Sequence, residues 1–360
     1  IDFDSLTTRP TEFTGSVSAS FGAAVSLLEW PGTGDYDESE PVDYAAGYSL
    51  GTTFEVDSRP KPYLRFNARI GTSLDPDTMD FTTPEVSTLY LDYTLGDNAT
   101  FRAGKFGMTW GNARVLDNVA NLVSDVSDGA ALRAVVPVGT GTFTAVGYST
   151  EEFLDEYNAD DPRAFAYAAN LEQTWGLFSV AAAAHTRPAA FESGSDATLD
   201  MTGSVGTSVG PFDLTWEGVH RLDPTSPWES GHIDFEVLSQ VAWEGGDPRW
   251  IIGAEHLYDN TVGGFRGHLA GVALRMPRFS ALGVRWRPQL RARHAFYDGS
   301  GDIVTGFTGT VAPDMTMSVG LPLRYGPADS RYRSGDFGDD LQGVDGVAAL
   351  GLGLSLSFSF

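Results

Sequence analysis

The chain has 360 residues, a formal net charge of −25 at pH 7, no cysteine, 42 glycines and 19 prolines. The lack of cysteine excludes a disulfide framework, a thiol nucleophile and a thiolate metal site, and the acidic balance excludes a nucleic-acid partner, because a polyanion is repelled before contact. The most apolar stretches, Leu177 to Ala184 and Val347 to Leu354, are far shorter than the roughly 20 residues that a membrane-crossing helix needs. No charged segment followed by an apolar one opens the chain at Ile1, as expected of a chain made without a signal peptide or of a mature form.

Taken in chain order, the sequence alternates apolar with small or polar residues in runs of the length a tilted strand needs to cross a bilayer. Phe13, Val17, Ala19, Phe21, Ala23 and Val25 alternate with Thr14, Ser16, Ser18, Ser20 and Gly22. Tyr44, Tyr48, Leu50, Phe54 and Val56 follow, then Leu64, Phe66, Ala68 and Ile70 against Arg65, Asn67 and Arg69, and Leu89, Leu91, Tyr93 and Leu95 against Tyr90 and Asp92. Runs near 143–148 and 164–171 are short and ambiguous. Beyond them, Met201, Val205 and Val209 oppose Thr202, Ser204 and Ser208; Phe212, Leu214 and Trp216 oppose Asp213, Thr215 and Glu217; and Ile233, Phe235, Val237, Val241 and Trp243 oppose Asp234, Glu236 and Gln240. The last run is the clearest, with Leu350, Leu352, Leu354, Leu356, Phe358 and Phe360 on one face and Gly351, Gly353, Ser355, Ser357 and Ser359 on the other.

Two kinds of connector alternate between the runs. Short ones are expected at Asp57 to Pro62, Gly96 to Ala99, Gly139 to Thr142, Glu172 to Trp175, Val209 to Pro211, Glu244 to Arg249, Pro277 to Phe279 and Ala312 to Asp314. Long polar ones are expected near 26–41, 72–85, 111–129, 149–163, 186–198, 221–231, 259–267, 298–301 and 326–345. Eight short and nine long links join 18 strands, with 16 as the alternative if the ambiguous runs are not strands. The expected fold is all-β: a single antiparallel transmembrane β-barrel over 1–360, with short periplasmic turns at one rim and long extracellular loops at the other.

Only a closed sheet satisfies every backbone N–H and C=O in lipid. The polar faces hold Gly, Ser, Thr and charge, which make a poor dry core but suit a water-filled bore of 16 to 18 strands. Aromatic residues gather beside the short turns, at Tyr63, Phe101, Phe143, Trp175, Phe212, Trp243, Trp250 and Phe279, the depth of an interfacial girdle. The terminal segment LGLGLSLSFSF, ending on Phe360, resembles the C-terminal signal strand of Gram-negative outer-membrane barrels, and the whole chain resembles an outer-membrane porin. The segment FRAGKFGMTWGN (101–112) is similar to the junction between a strand and a constriction loop in such channels. The resemblance implies a bacterial outer-membrane location, contact with outer-membrane lipid, a homotrimer, and passive diffusion of small hydrophilic solutes or ions without a cofactor. No specific subfamily is implied.

The lumen is judged by its charge. Lipid-facing parity for Leu282, Val284, Trp286, Leu290, Ala292 and Phe296 leaves Arg285, Arg287, Arg291 and Arg293 in one inward column, and Arg65, Arg69, Arg102, Arg133, Arg275 and Arg324 take inward parity too. A charge near the midplane of the lipid face costs about 2–4 kcal/mol, so arginine is driven inward whatever its role. Two readings stay open: a basic lining that favours anions, or arginines that merely pair with Asp92, Asp213, Glu217, Asp234, Glu236 and Glu255. Pro288 interrupts the column and is expected to bring a bulge or a strand end, which puts the parity beyond it in question.

The connector 112–129 is the candidate pore-constricting loop. Its apolar set, Val115, Leu116, Val119, Leu122, Val123 and Val126, is too large to stand in water, and Asp117, Asp125 and Asp128 would face the arginines across the opening. The alternative is an external flap on neighbouring loops. The acidic clusters at 35–43, 151–161 and 336–345 lack calcium-loop spacing and read as solvated charge. No metal site and no catalytic residue is assigned: the six histidines show no ligand spacing, and no nucleophile-elbow spacing occurs around Ser195 or Ser204. Two functional rivals remain, a plugged surface barrel acting as an adhesin or structural protein, and a membrane-embedded hydrolase using His185 or His294.

Overall fold

The computed structural model describes residues 9–27, 42–75, 78–96, 98–108, 110–116, 129–149, 165–187, 198–222, 233–260, 267–327, 330–332 and 348–359. Nearly all of these lie in strands: β1 (Arg9–Leu27), β2 (Val42–Lys61), β3 (Leu64–Leu74), β4 (Glu85–Leu95), β5 (Ala99–Lys105), β6 (Ala131–Val138), β7 (Gly141–Ser149), β8 (Phe165–Trp175), β9 (Phe178–Arg187) and β10 (Thr198–Val209). The remainder are β11 (Phe212–Leu222), β12 (Ile233–Gly245), β13 (Trp250–Asp259), β14 (His268–Arg275), β15 (Phe279–Ala281), β16 (Val284–Ala295), β17 (Ser300–Ala312), β18 (Met315–Tyr325) and β19 (Ala348–Ser359). Successive strands pair antiparallel, and β19 returns to β1 with Leu27 opposite Ala348 and Ser16 opposite Ser359, so the sheet closes without an edge. β14 and β15 both pair with β16 and form one interrupted wall strand, which gives a barrel of 18 strands. The ambiguous runs lie on β7 and β8.

The alternation decides the facing. Phe13, Phe21, Phe54, Ile70, Leu91, Tyr167, Trp216, Val241, Leu321 and Leu354 all stand exposed on the outside, each more than one third accessible. Their sequence neighbours turn inward and meet across strands: the Ser16 hydroxyl bonds that of Thr53, and the Ser20 hydroxyl that of Ser49. Because the pleat has a period of two, these pairings fix the face of every residue along the ladder. The outer belt is apolar, with Tyr63, Phe101, Phe143, Trp175, Phe212, Trp250 and Phe279 exposed beside the tight turns.

Those turns differ from the expected connectors in three places. The expected link at Glu172 to Trp175 lies further on, at Gly176 and Leu177. The link expected at Pro277 to Phe279 is not a turn; Met276 to Arg278 interrupt the wall strand, and the chain reverses at Leu282 and Gly283, both at positive φ (55° and 75°). A glycine meets that geometry at no steric cost, and Leu282 accepts it at a tip where its side chain is 96% exposed. The link expected to be long at 298–301 is a four-residue turn, 296–299.

Pro288 also departs from expectation. β16 keeps an unbroken register with β17 from Arg285 opposite Thr310 to Ala295 opposite Ser300. The irregularity appears instead on the neighbouring strand. Arg275 pairs with Gln289 and Phe279 with Trp286, so three residues, Met276 to Arg278, lie opposite two, Arg287 and Pro288. A proline has no N–H to give the ladder, and the facing strand breaks where that donor is missing; the Pro288 carbonyl still accepts from the Met276 N–H at 3.0 Å.

Candidate pore lining

Among the described residues, one connector reaches both buried apolar clusters inside the barrel. Near the end of β5 stands Gly104, whose φ of 129° and approach to Leu89 leave no room for a Cβ, and beyond Lys105 the chain turns inward. Phe106 then packs with Tyr90, Val146, Tyr148, Ala166 and Ala168, while Met108 and Trp110 lean on the same cluster. Further along, Leu116 is buried among Leu238, Leu257, Leu269 and Ala295. These beds are apolar residues at inward positions of β7, β8, β12, β13 and β14, where the rest of the lumen carries small or polar groups. Each fully buried side chain of this size contributes about 1.5–3 kcal/mol relative to exposure.

Two buried carboxylates hold the connector in place. Glu217 accepts from the Asn112 backbone N–H and side-chain amide, at 2.8 and 2.9 Å. Glu255 accepts from three successive N–H groups, those of Arg114 (2.6 Å), Val115 (2.9 Å) and Leu116 (2.8 Å), and from the Gln240 amide (2.7 Å). A turn that points consecutive N–H groups at one anion makes a strong, oriented anchor. Gly271 permits the contact, since a Cβ there would stand 2.8 Å from Val115 Cγ1 and 3.0 Å from Leu116 Cδ2. Residues 110–116 therefore run along the inner wall from β9 to β14. Asp117, Asp125 and Asp128 lie outside the described residues, as do the side chains of the three acidic clusters.

The inner-face arginines differ in how they are paired. Across β3 to β6 one row reads Arg65, Asp92, Arg102, Arg133. Arg65 pairs with Asp57; Arg102 forks onto Asp92 at 2.6 and 2.8 Å and stacks over Tyr90 at 3.8 Å; Arg133 lies 5.7 Å over Phe106, and its buried Nε meets no acceptor among the described residues. Arg69 reaches Glu55 at 3.8 Å. On the far wall, Arg293 forks onto Asp302 at 2.7 and 2.8 Å, and Arg291 approaches the same carboxylate at 3.4 Å. Arg324 sits opposite Asp302 on β18. Arg275, Arg278, Arg285 and Arg287 have no carboxylate partner among the described residues.

Of the acids expected to neutralise arginines, Asp92 does so; Glu236 serves Arg221 at 2.6 Å, Asp213 bonds the Ser208 hydroxyl, and Glu217 and Glu255 hold the connector. The Asp234 side chain lies outside the described residues. Asp57, Glu55 and Asp302 are partners that the sequence reading missed. One signal for the connector's bed was present: Val146, Leu238, Leu257 and Leu269 break the alternation at inward positions. Of the two histidines weighed for hydrolysis, His185 is buried against the Tyr148 hydroxyl (2.8 Å) and Asp200 (4.0 Å), and His294 meets the Tyr325 hydroxyl at 3.0 Å.

At the opposite rim from the tight turns, Tyr332 lies under Arg293 at 4.9 Å, and burial pushes its hydroxyl above the usual range. Beside it, Asp298 accepts from the N–H groups of Ser300 (2.9 Å) and Arg331 (2.8 Å). Burial raises the Asp298 carboxyl, but the hydrogen bonds from Ser300, Arg331 and Tyr297 outweigh it and hold the group below its ordinary value.

Solved structures with this architecture include the anion-selective porin from Comamonas acidovorans (11% identity, 97% of this chain and 99% of that one, TM-score 0.46) and Salmonella typhi OmpF in complex with daunomycin (10%, 97% and 97%, 0.49). Pseudomonas aeruginosa OpdK with vanillate aligns at 9% identity over 97% of this chain and 98% of that one, with a TM-score of 0.55. The chain has the porin fold. No family model matches the sequence, and no curated protein does. In this porin fold the apolar belt and the edgeless sheet are those of an outer-membrane barrel.

Proposed function

We propose that this porin-fold barrel is a passive diffusion channel for small hydrophilic solutes or ions, with conduction shaped by the connector on its inner wall and by lumen arginines. The observation that carries the reading is the clasp of residues 112–116 on Glu217 and Glu255. It fastens the start of the 112–129 segment inside the bore and favours a constricting loop over an external flap. In the same proposal Asp117, Asp125 and Asp128 supply negative charge to a lumen field set against the arginines, which would orient dipolar solutes. Flux follows the gradient and needs no cofactor. A homotrimer belongs to the same reading, supported by the resemblance to porins.

The test is single-channel recording of the folded, purified protein in planar bilayers. Discrete conductance steps are expected. A flat trace from folded protein assigns a plugged surface barrel instead, and ester turnover abolished by His185→Ala assigns a hydrolase. In a salt gradient, replacing Arg285, Arg287, Arg291 and Arg293 with glutamine is expected to move the reversal potential toward cation preference; an unmoved potential removes the column from the mechanism.

A further inference from the structure

The arginine column of β16 is divided by its surroundings. Toward the rim opposite the tight turns, Arg291 and Arg293 share Asp302. Toward the tight turns, Arg285 and Arg287 have no such partner among the described residues, and the strand interruption adds to them. Because Met276 to Arg278 stand opposite only two residues, the parity of the wall strand switches there. Arg275 keeps the inward face before the switch, Arg278 gains it, and Phe279 is turned outward beside Phe307. An unbroken strand would have sent Arg278 into the lipid and Phe279 into the water.

The result is a cavity of about 530 Å3 whose lining includes Arg249, Arg275, Arg278 and Arg287. Arg249 is paired with Glu244; the other three have no carboxylate among the described residues. Arg287 lies in the repulsive field of Arg278, Arg275 and Arg249. In a chain of net charge −25, three guanidiniums gathered without a carboxylate partner among the described residues make a locally basic site, and its concave shape concentrates the field that attracts an anion. Guanidinium forks match the paired oxygens of phosphates and carboxylates.

We infer that this cavity is a binding station for small oxyanions carrying two or more negative charges, with Arg275, Arg278 and Arg287 as its ligands. It deepens the channel reading by naming a solute class and a place where that solute pauses before leaving or entering by the tight-turn mouth. Inorganic phosphate is the probe. Calorimetric titration of phosphate into the folded wild-type protein is expected to show saturable binding, and Arg275→Gln with Arg278→Gln is expected to weaken it by about tenfold or more. In bilayers bathed in potassium chloride, phosphate is expected to reduce the chloride current saturably, with the half-blocking concentration raised in the same variant. Arg278→Gln alone serves if the double variant does not fold.

Conductance without saturable phosphate binding overturns the station and leaves the channel. Phosphate binding lost in the variant, in a protein that passes no current, overturns the channel and sustains the station. Binding that is unchanged in folded Arg278→Gln and Arg287→Gln proteins also overturns the inference.

Discussion

Glu255 shows how much a single side chain can fix inside a wide barrel. It is buried and its carboxyl group receives four hydrogen bonds, three of them from consecutive backbone N–H groups of the connector. Glu255→Gln replaces one acceptor oxygen with a donor aimed at those N–H groups, at a cost of about 1–3 kcal/mol for each donor stranded. The expected result is a released connector, read as a larger single-channel conductance and faster tryptic cleavage after Arg114; unchanged values for both would show that Glu255 is not the anchor. Asp298 gives a pH-dependent counterpart. Its folded-state carboxyl titrates below the ordinary 3.8, so its contribution to stability is complete above the unfolded value and is lost as pH falls through the folded one. The amides of Ser300 and Arg331 are therefore expected to exchange with solvent faster only below about pH 4, and Asp298→Asn should give that faster exchange at neutral pH. Exchange rates in the wild type that stay flat down to pH 2 would contradict the assignment.

At the scale of elements, the strands were readable and the connector's course was not. Period-two alternation is local, and it placed Leu89, Trp216 or Leu354 outward from their neighbours alone. The clasp on Glu217 and Glu255 joins residues more than 100 positions apart, and nothing local marks these acids as different from Asp213 or Glu236. Which acid an arginine takes is likewise not set by row neighbours: Arg65 takes Asp57 on β2, while the Asp92 beside it in the row takes Arg102. Pro288 did signal a break in the sheet, but the break fell on the strand that lost the hydrogen bond and not on the strand that carries the proline. The fit of the connector to its bed can be tested at Gly271, where any side chain would meet Val115 and Leu116. Gly271→Val is expected to lift residues 115–116 from the wall at about 1–3 kcal/mol, the usual cost of overpacking. Conductance and cleavage after Arg114 should both rise, as for Glu255→Gln; a barrel that accepts valine with neither change would mean the contact is looser than its geometry.

For the whole molecule, every functional statement depends on which solvent meets which face. A water-soluble barrel hides its large apolar residues around the axis, whereas here Phe21, Phe54, Leu91, Trp216 and Leu354 cover the outside and serines, threonines and charges line the inside. Adjacent residues of β19 separate the two environments within one strand. Leu354 pairs with Phe21 and Val319 on the outer face, and Ser355 pairs with Ser20 and Ser318 on the inner one. An arginine on the lipid side near the middle of a strand costs about 2–4 kcal/mol, whereas the same residue facing a hydrated bore costs little. Leu354→Arg is therefore expected to lower the unfolding free energy in lipid vesicles by about that amount, and Ser355→Arg to leave it nearly unchanged while shifting the reversal potential toward anions. The pair is decisive because both variants add the same charge at the same depth, one residue apart. If Ser355→Arg were the destabilising one, or if neither altered stability, the oily face would not be in contact with hydrocarbon, and the barrel would have to be read with its interior and exterior exchanged.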